Sequence, residues 1–120
     1  MAKLIQKVFK QEKQAIITYS RDDLNLNLKE LKPFEVDGAK EKHVPVIMKD
    51  GNKVNIAVGE VAHPMQDVHF IEWISIETNK GFQVKYLNPE DKPEASFVLL
   101  DDEKLLNAYA YCNLHGLWKA

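Results

Sequence analysis

Short runs of β-branched and aromatic residues, separated by polar turns, make up most of this chain. Residues 44–48 and 54–58 are two such runs, joined across Lys49-Asp50-Gly51-Asn52-Lys53. Asp-Gly between β-prone runs signals a hairpin, because both residues accept positive φ. Residues 68–78 and 82–87 form a second candidate pair around Asn79-Lys80-Gly81. Residues 96–100 and 105–112 form a third, across Asp101-Asp102-Glu103-Lys104. Strands at this spacing predict an antiparallel sandwich or barrel. Alternation assigns faces in two of them. In 105–112, Leu106, Ala108, Ala110 and Cys112 share one side, and Leu105, Asn107, Tyr109 and Tyr111 the other. Further back, His69, Ile71 and Trp73 fall on one face, with Phe70, Ile74 and Ile76 opposite. Apolar residues on both faces predict a central strand covered on both sides.

The first 38 residues read differently. Residues 4–9, 15–19 and 24–28 predict three short strands, the last with Leu24, Leu26 and Leu28 in alternation. Leu4, Ile5, Val8 and Phe9 also suit a helix face, which leaves the first of these open. A piece this short cannot bury enough surface to fold alone without a disulfide, a metal or a partner. It holds no cysteine and no histidine. It must therefore pack on the rest of the chain or on a second copy. Pro33 to Gly38 reads as the connector, so the expected units are residues 1–38, a small appendage, and 39–120, the main domain.

Bulk properties narrow the function. With 120 residues the chain has room for one main domain. A net charge of −2, with both signs interspersed, lacks the basic stripe of a nucleic-acid binder. Lys3, Lys7, Lys10 and Lys13 interrupt the apolar residues at the N-terminus, so no secretory signal is expected there. No apolar run reaches the length of a membrane span. A single cysteine, Cys112, forbids an intrachain disulfide and fits a reducing compartment, so the expected location is the cytoplasm.

All four histidines and that cysteine follow residue 40: His43, His63, His69, Cys112 and His115. Taken singly, each is ordinary: a hydrogen-bonded histidine, or a cysteine acting as a small buried hydrophobe. Their arrangement is not. Cys112-Asn113-Leu114-His115 places a thiolate and an imidazole at a strand end, followed by Gly116 for the turn. His63-Pro64-Met65-Gln66-Asp67-Val68-His69 brings two more imidazoles on a loop stiffened by Pro64. His43 stands just before Val44-Pro45, where the first hairpin begins. Imidazole suits iron, zinc and copper, and thiolate adds an electron-donating position. Structural zinc closes with four ligands, usually richer in cysteine. Four imidazoles and one thiolate suggest a square pyramid with one position open, which is a reactive site. Beside such a site, Glu41 and Lys42 become a potential ligand and an attractor of anions.

The chain resembles the superoxide reductases (desulfoferrodoxins and neelaredoxins). The likeness rests on Glu41-Lys42-His43-Val44-Pro45-Val46, on His63-Pro64-Met65 with His69, Ile71 and Trp73, and on Cys112-Asn113-Leu114-His115-Gly116 with Trp118. It spans roughly residues 38 to 120. It implies an all-β fold, an immunoglobulin-like seven-stranded antiparallel β-sandwich, here with a small N-terminal β appendage. It implies one iron per chain, cycling between Fe2+ and Fe3+. His43, His63, His69 and His115 would be the equatorial ligands and Cys112 the axial one. Glu41 would take the open position in the oxidised resting state, and Lys42 would steer superoxide. The implied activity is one-electron reduction of superoxide to hydrogen peroxide, with re-reduction by an external donor such as rubredoxin. Two-iron members carry a four-cysteine domain at the N-terminus, and this chain has none of those cysteines. It is similar to the subgroup that keeps the small domain without its metal, and a homodimer is expected.

Two other readings remain. A blue-copper-type electron carrier is also a sandwich with a C-terminal Cys…His loop, but uses two histidines and usually a methionine after the loop. Here the chain ends Gly-Leu-Trp-Lys-Ala, and Met48 and Met65 lie elsewhere. A metal-free binding module leaves the ordered histidine and cysteine motifs without a purpose.

Overall fold

The computed structural model describes residues 3–120. Met1 and Ala2, part of the expected first unit, lie outside the described residues. The expected all-β sandwich is present. One sheet is four-stranded, in the order β10-β9-β6-β7, and the other three-stranded, in the order β4-β5-β8. These strands are β4 (Pro45–Asp50), β5 (Lys53–Val58), β6 (Ile71–Thr78), β7 (Gly81–Tyr86), β8 (Glu94–Val98), β9 (Leu105–Cys112) and β10 (Gly116–Lys119). The first hairpin forms where Asp-Gly predicted it. Asp50 pairs with Lys53, and Gly51 takes φ 59°, a value open to glycine. Between the sheets lie Val54, Ile56 and Val58 of β5, Phe97 of β8, Ile74 and Ile76 of β6, and Ala108, Ala110 and Cys112 of β9. Cys112 thus ends a strand while still inside the core, at one rim of the sandwich.

The N-terminal residues form a sheet of their own, with β1 (Ile5–Gln11) between β2 (Gln14–Ser20) and β3 (Lys29–Leu31). It packs on the outer face of the four-stranded sheet. Val8 is buried against Trp73, Tyr111 and Leu117, with Ala15, Ile17 and Leu31 around them. The Lys10 Nζ donates to the Tyr111 hydroxyl at 2.9 Å. The appendage therefore finds its partner surface within its own chain. That cover is why β6 is buried along nearly its whole length, as expected of a strand with two apolar faces.

Four expectations need correction. Residues 96–100 and 105–112 do not pair with each other: β8 joins β5 in the opposite sheet, and β9 lies between β6 and β10. The turn at 101–104 is a crossover between layers. Both strands need a core face, and two packed sheets meet that need as well as a hairpin does. Residues 24–28 are not a strand. Asn27 has φ 57°, its N–H bonds to the Asn25 side chain, and the Leu24 carbonyl accepts from Lys7 Nζ. The third strand comes later, with Leu31 opposite Val8. Next, the ladder shifts between Glu77 and Thr78 opposite Leu105 to Asn107. The bulge turns Leu106 out to solvent, while Leu105 packs on the core. A second shift, between Ile71 and Trp73, makes Glu72 the extra residue. Ile71 then joins Ile74 and Ile76 in the main core, while Trp73 faces the N-terminal sheet. Strict alternation had put Ile71 with Trp73.

Candidate metal centre

Three local structures carry the donors to one end of the sandwich. A single helical turn, α1 (Lys40–His43), ends in His43 and is closed by the Val44 N–H bonding to the Lys40 carbonyl. The loop between β5 and β6 carries His63, whose N–H bonds to the Val58 carbonyl, and His69, which exchanges two backbone bonds with Gln66. The third is the β9–β10 hairpin. Cys112 pairs with Gly116 across Asn113, Leu114 and His115. Gly116 has φ 79°, which few side chains tolerate. A loop this tight holds Cys112 and His115 on one side of the hairpin, with the sulfur 3.8 Å from His115 Nδ1.

The donor atoms of His43, His63, His69, Cys112 and His115 lie within 4.8 Å of one another. The four rings close a cycle: His43 next to His63 (4.6 Å between centroids), His63 next to His69 (4.7 Å), His69 next to His115 (5.0 Å), and His115 next to His43 (4.8 Å). Neighbouring rings stand at 68–81° to each other, like the blades of a propeller.

Hydrogen bonds decide which nitrogen of two rings faces the centre. His43 Nδ1 lies 2.7 Å from the Ala39 carbonyl and His63 Nδ1 2.7 Å from the Pro64 carbonyl. A carbonyl only accepts, so both Nδ1 atoms carry the proton, and both Nε2 atoms present lone pairs. Those two Nε2 atoms are 3.1 Å apart, and His43 Nε2 is 3.2 Å from His115 Nδ1. Two lone pairs at that distance, with no proton between them, repel unless a cation is shared. The His69 Nε2 is buried with no hydrogen-bond partner among the described residues. Nitrogens bound at right angles to one transition metal, at about 2.1 Å, stand about 3 Å apart, so the donor set fits such an ion.

For the histidines the electrostatics agree. Burial lowers the pKa of His43, opposed by its bond to the Ala39 carbonyl. Burial takes His63 down to about 4, against the pull of the Pro64 carbonyl. Burial, His115 and the Lys42 ammonium lower His69. Neutral imidazoles are the form that binds metal. Burial raises the Cys112 thiol, while backbone N–H groups of His115 and Leu114 directed at the sulfur oppose it, and Glu72 raises it further.

His43 and His63 are buried, and His69 and His115 are partly exposed. The Lys42 ammonium is near enough to the cluster to act on His69. Glu41 is exposed and stands outside the five-donor cluster. Phe34, Gly38 and Gly59 were not singled out by sequence reading as supports of the site. The Phe34 ring meets Trp118 edge-on at 5.4 Å, and Trp118 in turn stacks on His43 at 4.8 Å. The connector is thus the back wall of the centre. A Cβ on Gly38 would lie 3.2 Å from both the His43 ring and Trp118. A Cβ on Gly59 would lie 2.6 Å from the Glu41 carbonyl oxygen, so Gly59 lets the turn bearing Glu41 and Lys42 rest on the β5 end. The signal was a glycine at a strand end, which sequence alone cannot tell from an ordinary turn. Gly59→Ala should lower stability by about 1–3 kcal/mol in urea unfolding, as overpacking does. An unchanged midpoint would show that the turn yields freely.

A family model described as Desulfoferrodoxin matches residues 35–120. The chain belongs to the desulfoferrodoxin family. Among family proteins, the desulfoferrodoxin of Nitratidesulfovibrio vulgaris is 50% identical over 93 residues, which is 78% of this chain and 72% of that protein. The desulfoferrodoxin homolog of Archaeoglobus fulgidus is 50% identical over 84 residues, 70% of this chain and 66% of that protein. The match therefore spans about two thirds of the Archaeoglobus protein's length. The superoxide reductase of Treponema pallidum has a similar structure, with TM-score 0.85 and 36% identity, covering 97% of this chain and 98% of that one. This likeness extends over the N-terminal sheet. The one-iron superoxide reductase of Giardia intestinalis gives TM-score 0.59 and 37% identity over 68% of this chain and 96% of its own.

Proposed function

We propose that this chain is a superoxide reductase, which reduces superoxide by one electron to hydrogen peroxide at a mononuclear non-haem iron. The observation that carries the reading is the convergence of five donors, with the lone pairs of His43 and His63 meeting 3.1 Å apart. His43, His63, His69, His115 and Cys112 would hold the iron, which supplies the one-electron Fe2+/Fe3+ chemistry the reduction needs. The chain's own residues do the rest. Lys42 attracts the anionic substrate to the position that the five donors leave open. The buried His43 and His63, backed by Trp118, keep water from their side of the cluster. The backbone N–H groups at the Cys112 sulfur moderate how strongly it donates charge. Glu41 serves the oxidised resting state. Two protons from water near the site complete hydrogen peroxide, and one electron per turnover comes from an external donor such as rubredoxin.

Residues 1–38 are read as a metal-free, desulforedoxin-like unit and 39–120 as the iron-binding domain. A homodimer is supported by the outer face of the three-stranded sheet, where Met48 is 50% and Val98 71% exposed. A cytoplasmic location is supported by the lone, buried Cys112. Among the described residues no helix is long and apolar enough to cross a membrane. The blue-copper alternative is disfavoured by the cycle of four imidazoles and by Met65, whose sulfur already accepts the Ile71 N–H at 3.4 Å.

The test is iron content followed by reaction of the reduced protein with superoxide. About one iron per chain, with hydrogen peroxide formed and no oxygen released, is expected; oxygen release would mean dismutation instead. Glu41→Ala should leave the rate with superoxide within about twofold, because a ligand of the resting state contributes little to attack, and any large loss would reassign Glu41.

A further inference from the structure

We propose that Asn113 is a positioning residue for the metal centre, its carboxamide gripping both peptide groups that flank His69. This rests on reading the five clustered donors as a metal site. The two ligand-bearing loops come from distant parts of the chain, and something must set one against the other. His43 and His63 are oriented through their rings, by the carbonyls of Ala39 and Pro64. His69 is held through its backbone. The Phe70 N–H, on the peptide following His69, donates to Asn113 Oδ1 at 3.0 Å. The Val68 carbonyl, on the peptide preceding His69, accepts from Asn113 Nδ2 at 3.0 Å. The Asn113 backbone N–H adds a third bond, to the Phe70 carbonyl at 3.2 Å.

Asn113 is bonded directly to Cys112 in the chain, so this clamp ties the His69 imidazole to the sulfur on the other loop. The residue type follows from the task. One side chain must offer a donor and an acceptor side by side, on a stem short enough for a tight hairpin loop. Aspartate keeps the acceptor for Phe70 and loses the donor for Val68, and alanine loses both. The His69 Nε2, buried with no hydrogen-bond partner among the described residues, depends on this backbone grip for its place among the donors.

Cobalt(II) titration of the metal-free full chain tests the clamp without any activity measurement. Asn113→Ala should bind cobalt about 10- to 100-fold more weakly, the range seen when an outer partner of a metal ligand is removed. Its ligand-field bands should also strengthen, because cobalt that has lost one of five ligands absorbs more intensely. Asn113→Asp should recover part of both. Ile76→Val, a core change remote from the donors, serves as the control for lost stability. Wild-type affinity and spectrum in Asn113→Ala would overturn the proposal, and so would an equal loss in Ile76→Val. If Asn113→Ala does not fold, Asn113→Asp alone decides: an intermediate loss with altered bands supports the clamp, and no change overturns it. A wild-type chain that binds no cobalt would instead sink the reading of a metal centre.

Discussion

Replacing Cys112 with serine should abolish the thiolate-to-metal charge-transfer absorption and weaken iron binding by more than about 100-fold. Even an outer partner of a ligand is worth 10- to 100-fold in affinity, and Cys112 stands among the donors themselves. The side chain is fully buried in the main core, directly opposite Ile71 on the neighbouring strand. Serine is nearly the same size, so the sandwich should survive, at a cost of about 1–3 kcal/mol for the buried hydroxyl. Urea unfolding of the metal-free variant checks that the fold is intact, and absorption after ferrous loading reads the site. An unchanged spectrum would remove Cys112 from the ligand set, whereas a collapsed fold would be met by Cys112→Ala, which leaves no polar group behind. The rate with superoxide should fall with the spectrum, since the donor that is lost is the only soft one.

Lys42→Ala should slow the bimolecular reaction with superoxide by about 10-fold or more at low salt. The chain as a whole carries a net charge of −2, so its overall field repels an anion. Attraction has to be local, and the Lys42 ammonium acts on His69, one of the five donors. Between exposed charges such attraction is screened over about 8 Å at physiological salt. The wild-type rate should therefore drop as salt rises while the variant's stays nearly flat, and the two should converge. Lys42→Arg should keep both the rate and the slope. A variant with the wild-type salt dependence would show that steering comes from elsewhere. A loss that persists undiminished at high salt would point to contact with bound substrate, in place of long-range attraction.

Much of this molecule was legible along the chain, and the boundary has a physical cause. Local chemistry by itself determined the hairpin at Asp50-Gly51, the turn after His115 at Gly116, the doubly covered strand around Trp73, and the inventory of five donors. Each depends on residues within one strand or one turn, where propensity and alternation act directly. Only the tertiary structure decided the rest. Whether 94–98 pairs with 105–112 or with β5 is a choice between non-local ladders with the same pattern of faces. The bulges at Glu72 and Leu106 flip the phase of alternation, and no residue type announces them. The donor set was readable as a candidate metal site, but its geometry was not. Which nitrogen of His43 or His63 faces the centre is settled by the carbonyls of Ala39 and Pro64. That the Cys112 and His69 loops meet at all is settled by packing of residues some forty positions apart. A sequence states which groups can bond, and only the fold brings the lone pairs together.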